Sequence, residues 1–245
     1  MIKYLAGIFD SEGYVRIRKV KTSYSIECKI EMTNFEIIKL FSEKYNLKIK
    51  EFNRGVNRKL IYNVVLNSKE LKETSFISDL LPHLNEKYYQ LDCIKRLISG
   101  ADRESCYQQY LFYKKNFSHE IINSPTYEYL AGIIDGDGYL SMFNSINKGT
   151  GSFNKYSIGL EQRYKPLVDY MSREFGGSNS CLRKTKSEKH NTTYSWQITT
   201  SDALKILNEI EPFMIEKKFK CNILINYINE FEKFKEFSKQ SLQMW

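Results

Sequence analysis

A chain of 245 residues with 42% hydrophobic side chains can fill one large core or two of ordinary size, which excludes disorder as the starting expectation. Lysine and arginine number 37 against 29 acidic residues, for a formal charge of +8, and this modest excess suits a polyanionic partner without identifying one. The five cysteines, Cys28, Cys93, Cys106, Cys181 and Cys221, are scattered, with no close CxxC pair and no histidines at zinc-ligand spacing, so buried reduced thiols are expected.

In chain order the first element is a helix, Tyr4-Leu5-Ala6-Gly7-Ile8-Phe9-Asp10-Ser11-Glu12, whose apolar run meets acids too soon for a secretory signal or a membrane span. Gly13 follows, where a helix C-terminus favours a residue tolerant of positive φ. Tyr14 to Lys21 then alternates as a strand, with Val15 and Ile17 inward and Arg16 and Arg18 outward. A second strand over Ile26 to Met32 leads to the polar Asn34 and then to a helical pattern. Tyr62 to Leu66 reads as another strand before a helix beginning near Ser68, and Leu81-Pro82-His83-Leu84-Asn85-Glu86-Lys87 precedes an amphipathic helix. Residues 100–126 match nothing else in the chain; long and rich in tyrosine and lysine, they are expected to bridge two halves and to carry a helix.

The series then recurs. Tyr129-Leu130-Ala131-Gly132-Ile133-Ile134-Asp135-Gly136-Asp137-Gly138-Tyr139 repeats Tyr4 to Tyr14 at an offset of 125, conservatively everywhere except Ser11 against Gly136. Leu140 to Ser145, Tyr156 to Glu161 with the polar Gln162 after it, Tyr194 to Ile198, a helix near Ser201, and Glu211-Pro212-Phe213-Met214-Ile215-Glu216-Lys217 follow in the order of the first half. The expected organisation is an N-terminal subdomain over 1–99, a linker over 100–126 and a C-terminal subdomain over 127–245.

Ala6-Gly7 and Ala131-Gly132 leave flat helix surfaces across which two backbones can approach closely. Asp10, Glu12, Asp135 and Asp137 sit at helix C-termini, where the macrodipole disfavours a carboxylate by roughly 0.3–1 kcal/mol. If the two helices pack side by side, Glu12 and Asp137 emerge together, and a hard cation such as Mg²⁺ relieves the concentrated charge. Asp10 and Asp135 are read instead as hydrogen-bonding to backbone at the helix ends, outside the metal-ligand set.

Leu5 to Gly13 and Leu130 to Gly138 resemble two copies of the LAGLIDADG motif, and the repeat that contains them covers nearly the whole chain. That resemblance implies an α+β fold of two pseudo-twofold-related αββαββα units, whose antiparallel sheets form a saddle over double-stranded DNA. It implies a monomeric, site-specific DNA endonuclease, acting by Mg²⁺-dependent in-line phosphodiester hydrolysis in the homing of its own intron or gene, with Mn²⁺ or Ca²⁺ able to occupy the same sites. By motif position it assigns metal binding to Glu12 and Asp137, active-site lysines to Lys87 and Lys217, and water-ordering polar groups to Asn34 and Gln162. Glu12 departs from the commoner aspartate and Asn34 is shorter than Gln162, so the half-sites are expected to be unequal.

Given a DNA partner, the outward residues of the strands become candidate contacts. Arg16 and Arg18 suit guanine, whereas Lys19 suits phosphate. The equivalent second-half strand presents Ser141, Phe143 and Ser145, so an asymmetric target is expected. Further candidates are Lys29, Glu31, Lys48, Lys50, Arg183, Lys184, Lys186 and Gln197. An RNA maturase that binds intron RNA is the alternative function, and a transcription regulator on the same scaffold predicts degraded motif acids, which this chain does not have.

Overall fold

The computed structural model describes residues 1–55, 58–116, 119–147, 151–183, 192–199 and 201–243. The first half runs α1 (Ile2–Glu12), β1 (Gly13–Val20), β2 (Ser23–Met32), α2 (Phe35–Tyr45), β3 (Lys50–Phe52), β4 (Ile61–Asn67), α3 (Ser68–Glu73), α4 (Phe76–Leu80), a 3-10 turn (Leu81–His83) and α5 (Tyr88–Ile98). The connecting segment carries α6 (Arg103–Lys115). The second half runs α7 (Tyr127–Gly136), β5 (Gly138–Asn147), β6 (Gly151–Gln162), α8 (Lys165–Phe175), β7 (Ser178–Arg183), β8 (Thr193–Thr199), α9 (Ser201–Ile210), a 3-10 turn (Glu211–Phe213) and α10 (Lys218–Gln243). Among the described residues the strands form two four-stranded antiparallel sheets, ordered β1-β2-β4-β3 and β5-β6-β8-β7, giving the α+β class and the duplicated pattern expected.

The local chemistry accounts for the elements. In β1, Val15 and Ile17 are buried while Arg16 and Arg18 point away from the core, the period-two alternation of a strand with one packed face. Lys21, at φ 53, supplies the left-handed residue of the tight β1–β2 connection. Asn34 starts α2 by accepting from the Ile37 amide at 3.1 Å, and Asn67 with Glu70 forms a capping box on α3.

Helices α1 and α7 are buried on every side, from Tyr4 to Asp10 and from Tyr129 to Asp135, as an apolar helix at the centre of a molecule should be. They pack directly on one another. A Cβ at Gly7 would collide with the Tyr129 carbonyl oxygen and lie 2.9 Å from Ile133 N, and one at Gly132 would collide with the Tyr4 carbonyl oxygen and lie 2.9 Å from Ile8 N. The reciprocity makes the helix pair a local twofold axis, with backbone against backbone at the two glycines.

Gly13 and Gly138 serve a different purpose from the one expected. Gly13 has φ −71 and ψ 150, ordinary extended backbone, and Gly138 is not among the positive-φ glycines. A side chain at Gly13 would run into the Phe9 carbonyl and ring, and one at Gly138 would lie 2.6 Å from Ile134 Cα, so the requirement is space at the sharp helix-to-strand junction. Cys28, Cys93, Cys106 and Cys221 are buried free thiols. Among the described residues no helix is long and apolar enough to cross a membrane.

Candidate active site

The α1–α7 packing carries both motif acids to the same end of the helix pair. Glu12 is the last residue of α1 and Asp137 caps α7. A Cβ at Gly136 would collide with Ser11 Oγ and lie 3.3 Å from Glu12 Cγ. The one mismatch in the repeat is therefore a steric pair, Ser11 on one helix accommodated by glycine on the other. Burial, and then the neighbouring Asp137 charge, raise the Glu12 carboxyl above its ordinary range, opposed by Lys87 and Lys217. Two carboxylates repelling one another at helix C-termini form a site that favours a cation.

Asp10 and Asp135 support this arrangement from below. Asp10 is buried and accepts from the backbone amides of Asn85 (2.7 Å), Glu86 (3.3 Å) and Lys87 (2.8 Å) and from the hydroxyl of Tyr129 in the opposite half (2.7 Å). Asp135 mirrors it, accepting from the amides of Ile215 (2.6 Å), Glu216 (3.1 Å) and Lys217 (2.8 Å) and from Tyr4 of the opposite half (2.8 Å). Each aspartate thus ties three amides before a following helix to the motif helix and is itself tied across the twofold axis. Burial raises the Asp10 carboxyl despite these donors and Lys87, and burial with the facing carboxylates raises both tyrosines.

The lysines follow from these amide cradles. Lys87 Nζ donates to the carbonyl of Asp10 and, at 3.4 Å, to that of Ser11. Lys217 Nζ donates to the carbonyls of Ile134 (2.7 Å), Asp135 (2.6 Å) and Gly136 (3.2 Å). Each ammonium occupies the free carbonyl end of its motif helix, offsetting the dipole directly behind the acids. Burial lowers the pKa of Lys217, while Asp135, Glu216, Glu12 and Asp137 act in the opposite direction.

Two clefts open from this centre, each formed by both halves. One is lined by Glu12, Glu31, Met32, Thr33, Arg54, Ile61 and, from the second half, Glu216 and Lys217. The other is lined by Asp137, Glu161, Gln162, Arg163, Thr193 and, from the first half, Glu86. Gln162 Nε2 donates to Asp137 at 3.4 Å. Strand register shows that Asn34 and Gln162 are not equivalent positions. Gly13 pairs with Ile30 and Gly138 with Leu160, so Gln162, still in β6, corresponds to Met32, whereas Asn34 is the cap of α2 and donates to Glu216. Each is a polar residue just past its strand's alternating run, but the two strands end differently.

Glu86 and Glu216, which are not among the expected site residues, reach the opposite subdomain's cleft; the signal for them is the duplicated Glu-Lys pair. Burial, reinforced by Asp10 and Asp137, pushes the Glu86 carboxyl up to about 7 against the influence of Lys87 and Arg163. Tyr4 and Tyr129 were also visible only as repeat positions, because their bonds cross between halves.

The remaining candidates lie on the sheets. Arg16 pairs with Glu27 at 3.0 Å, while Arg18 is exposed and forms no such pair among the described residues. Lys19 binds Glu104 of α6 at 2.6 Å, and Lys29 binds Glu31 at 2.9 Å. Lys48 and Lys50 are exposed beside and on β3, and Gln197 lies half-buried in β8. Ser141 shares a 2.7 Å hydrogen bond with buried Ser157. The side chains of Phe143, Ser145 and Arg183, and all of Lys184 and Lys186, lie outside the described residues.

No protein-family model and no curated protein sequence matches the chain. Solved structures do. The I-SmaMI LAGLIDADG homing endonuclease bound to cleaved DNA superposes with a TM-score of 0.71 at 13% identity, over 100% of this chain and 94% of that one. The LAGLIDADG meganuclease I-AabMI bound to uncleaved DNA gives 0.70 at 16% identity, over 95% and 92%. The LAGLIDADG homing endonuclease I-GzeII in complex with its DNA target gives 0.66 at 15%, over 98% and 96%. With the duplicated motif at the helix pair and the matching sheet order in both halves, the chain has the two-subdomain fold of the LAGLIDADG homing endonucleases.

Proposed function

We propose that this protein is a site-specific DNA endonuclease that hydrolyses one phosphodiester in each strand of a long asymmetric duplex, using a divalent cation, and that it promotes homing of its own intron or gene. The observation that carries this reading is the convergence of Glu12 and Asp137 at adjoining ends of α1 and α7, with a lysine behind each acid. The superposed structures include I-SmaMI bound to an uncleaved DNA target in the presence of calcium ions, which supports a hard divalent cation in this fold.

The residues present fit such an ion. Among the described residues no group of three or more His, Cys, Asp and Glu side chains could hold a metal by itself. Mg²⁺ suits a site of this kind, because it takes one or two carboxylates and completes its shell with water and phosphate oxygens. Glu12 and Asp137 would hold it, with the buried Oε1 of Gln162 beside Asp137, unpartnered among the described residues, available to accept from its hydration shell. When bound, the cation supplies charge neutralisation at the phosphate and activation of water. Lys87 and Lys217 fix the carbonyl ends from which the acids project and add positive field toward the phosphate. Asp10 and Asp135 hold both lysine segments in place.

The strand sequences support an asymmetric target, since Arg16 and Arg18 of β1 correspond in register to Ser141 and Phe143 of β5. Both halves lie in one chain, so the protein acts as a monomer. The test is cleavage of a randomised duplex library with and without Mg²⁺. Recovery of one long non-palindromic cut sequence, only with the cation, is expected. No Mg²⁺-dependent cutting of any duplex would overturn the assignment.

A further inference from the structure

The two clefts share a motif acid, the Glu31 and Glu161 positions and the Glu216 and Glu86 positions, and differ at three strand-end positions, while Asp135, Gly136 and Lys217 line the Glu12 cleft alone. Strand register equates Met32 with Gln162, Thr33 with Arg163 and Ile61 with Thr193. Three apolar or neutral positions in the Glu12 cleft are thus an amide, a guanidinium and a hydroxyl in the Asp137 cleft. Gln162 is 4% exposed, and its Oε1 has no hydrogen-bond partner among the described residues. A buried acceptor left unpaired costs about 1–3 kcal/mol, so its position is explained by a donor that arrives with the bound state.

Lys217 lines the Glu12 cleft but donates to the carbonyls that end α7, and the two arginines differ in how they are engaged. Arg54 reaches the Glu12 cleft but is engaged by Glu31, which also binds Lys29 at 2.9 Å and Asn63 at 3.3 Å. Arg163 is exposed, lines the Asp137 cleft, and forms no side-chain hydrogen bond or ion pair among the described residues. Its charge is felt by Glu86 on the opposite wall. A guanidinium without a carboxylate partner among the described residues is free to donate to phosphate oxygens, as the engaged Arg54 is not, while the Gln162 amide oxygen beside it can only accept, from water of the hydrated cation at Asp137.

We propose that Arg163 is the phosphate ligand of the Asp137 cleft, and that the DNA strand lying in this cleft is engaged and cut before the strand in the Glu12 cleft. This rests on the endonuclease reading above. The experiment uses a duplex selected from a randomised library by binding to the wild-type protein in Ca²⁺. It compares wild type, Arg163→Ala, Arg163→Lys and Arg54→Ala by salt-dependent affinity in Ca²⁺, phosphate-ethylation interference, and strand-resolved cleavage in Mg²⁺. Arg163→Ala should weaken binding roughly tenfold and reduce the slope of log K against log salt by about 1. It should abolish interference at one scissile phosphate, the one in the strand wild type nicks first, and should abolish the nicking order. Arg163→Lys should keep the salt slope, and Arg54→Ala should keep the order. Unchanged interference and order in Arg163→Ala, or the same effects from Arg54→Ala, would overturn the inference while leaving the endonuclease assignment intact. Failure to select any duplex would instead strike at that assignment.

Discussion

Replacing Gly7 by alanine sets two effects of opposite sign against each other. In a helix interior the substitution ordinarily stabilises by about 1 kcal/mol, through backbone entropy. Here the new methyl would collide with the Tyr129 carbonyl and lie 2.9 Å from Ile133 N and 3.1 Å from Gly132 Cα. Restoring contact distances of about 3.5–4.0 Å requires the helices to part by on the order of 1 Å. Overpacking of this kind costs about 1–3 kcal/mol, and the shift also stretches the Tyr4–Asp135 and Tyr129–Asp10 hydrogen bonds, both below 2.9 Å. The expected outcome is a net loss of about 1 kcal/mol by urea denaturation, the overpacking cost less the helix-propensity gain. Single-turnover cleavage, measured where the variant is still folded, should fall by about 10² because the two acids no longer share one geometry. Gly132→Ala should behave alike, since its surroundings are reciprocal. A variant as stable as wild type and cutting at the wild-type rate would refute the idea that the helix pair sets the site.

Tyr4→Phe and Tyr129→Phe each remove one hydrogen bond to a buried carboxylate, so each should lower stability by about 1.5–3 kcal/mol in chemical denaturation. Losses within ~0.5 kcal/mol would show that the crossed bonds contribute nothing. Glu86→Gln should change the pH dependence of stability without divalent cation. The Glu86 carboxyl titrates near 7 when folded, above its ordinary value of 4.5, so the folded state holds a proton that the unfolded chain releases. Wild type therefore loses stability as pH rises from about 4.5 to 7, and the glutamine variant avoids that loss. Melting temperatures of the two should coincide near pH 4 and diverge in favour of the variant by pH 8; a constant difference would place the Glu86 pKa elsewhere.

The parts legible in the sequence were those written twice. The repeat at Tyr4 to Tyr14 and Tyr129 to Tyr139, the close-packing glycines and the convergence of Glu12 with Asp137 could all be read from residue type and offset. What escaped depends on distances across the twofold axis or on strand ends. Tyr4 and Tyr129 looked like core aromatics, because nothing local shows that each hydroxyl reaches an aspartate of the other half. Gly13 looked like a left-handed cap, but the constraint is the Phe9 ring folded over it. Asn34 and Gln162 looked paired because both follow a strand, yet hydrogen-bond register, fixed from the motif glycine, sets Met32 opposite Gln162. Lys19 read as a free phosphate contact, and its bond to Glu104 involves the one segment without a repeat partner.

The central claim is that Glu12 and Asp137 act together in metal-dependent DNA cleavage, and Glu12→Gln and Asp137→Asn test it most directly. The amides keep the size of each side chain while removing the charge that would hold a cation. With a duplex selected by the wild-type protein, each variant should bind as tightly or more tightly, because repulsion from the phosphate is relieved, and neither should cut both strands at any Mg²⁺ concentration. Strand-resolved cleavage under single-turnover conditions, alongside affinity in Ca²⁺, gives both readings on the same samples. Full double-strand cutting by either variant at the wild-type rate would remove that acid from the chemistry and contradict the account.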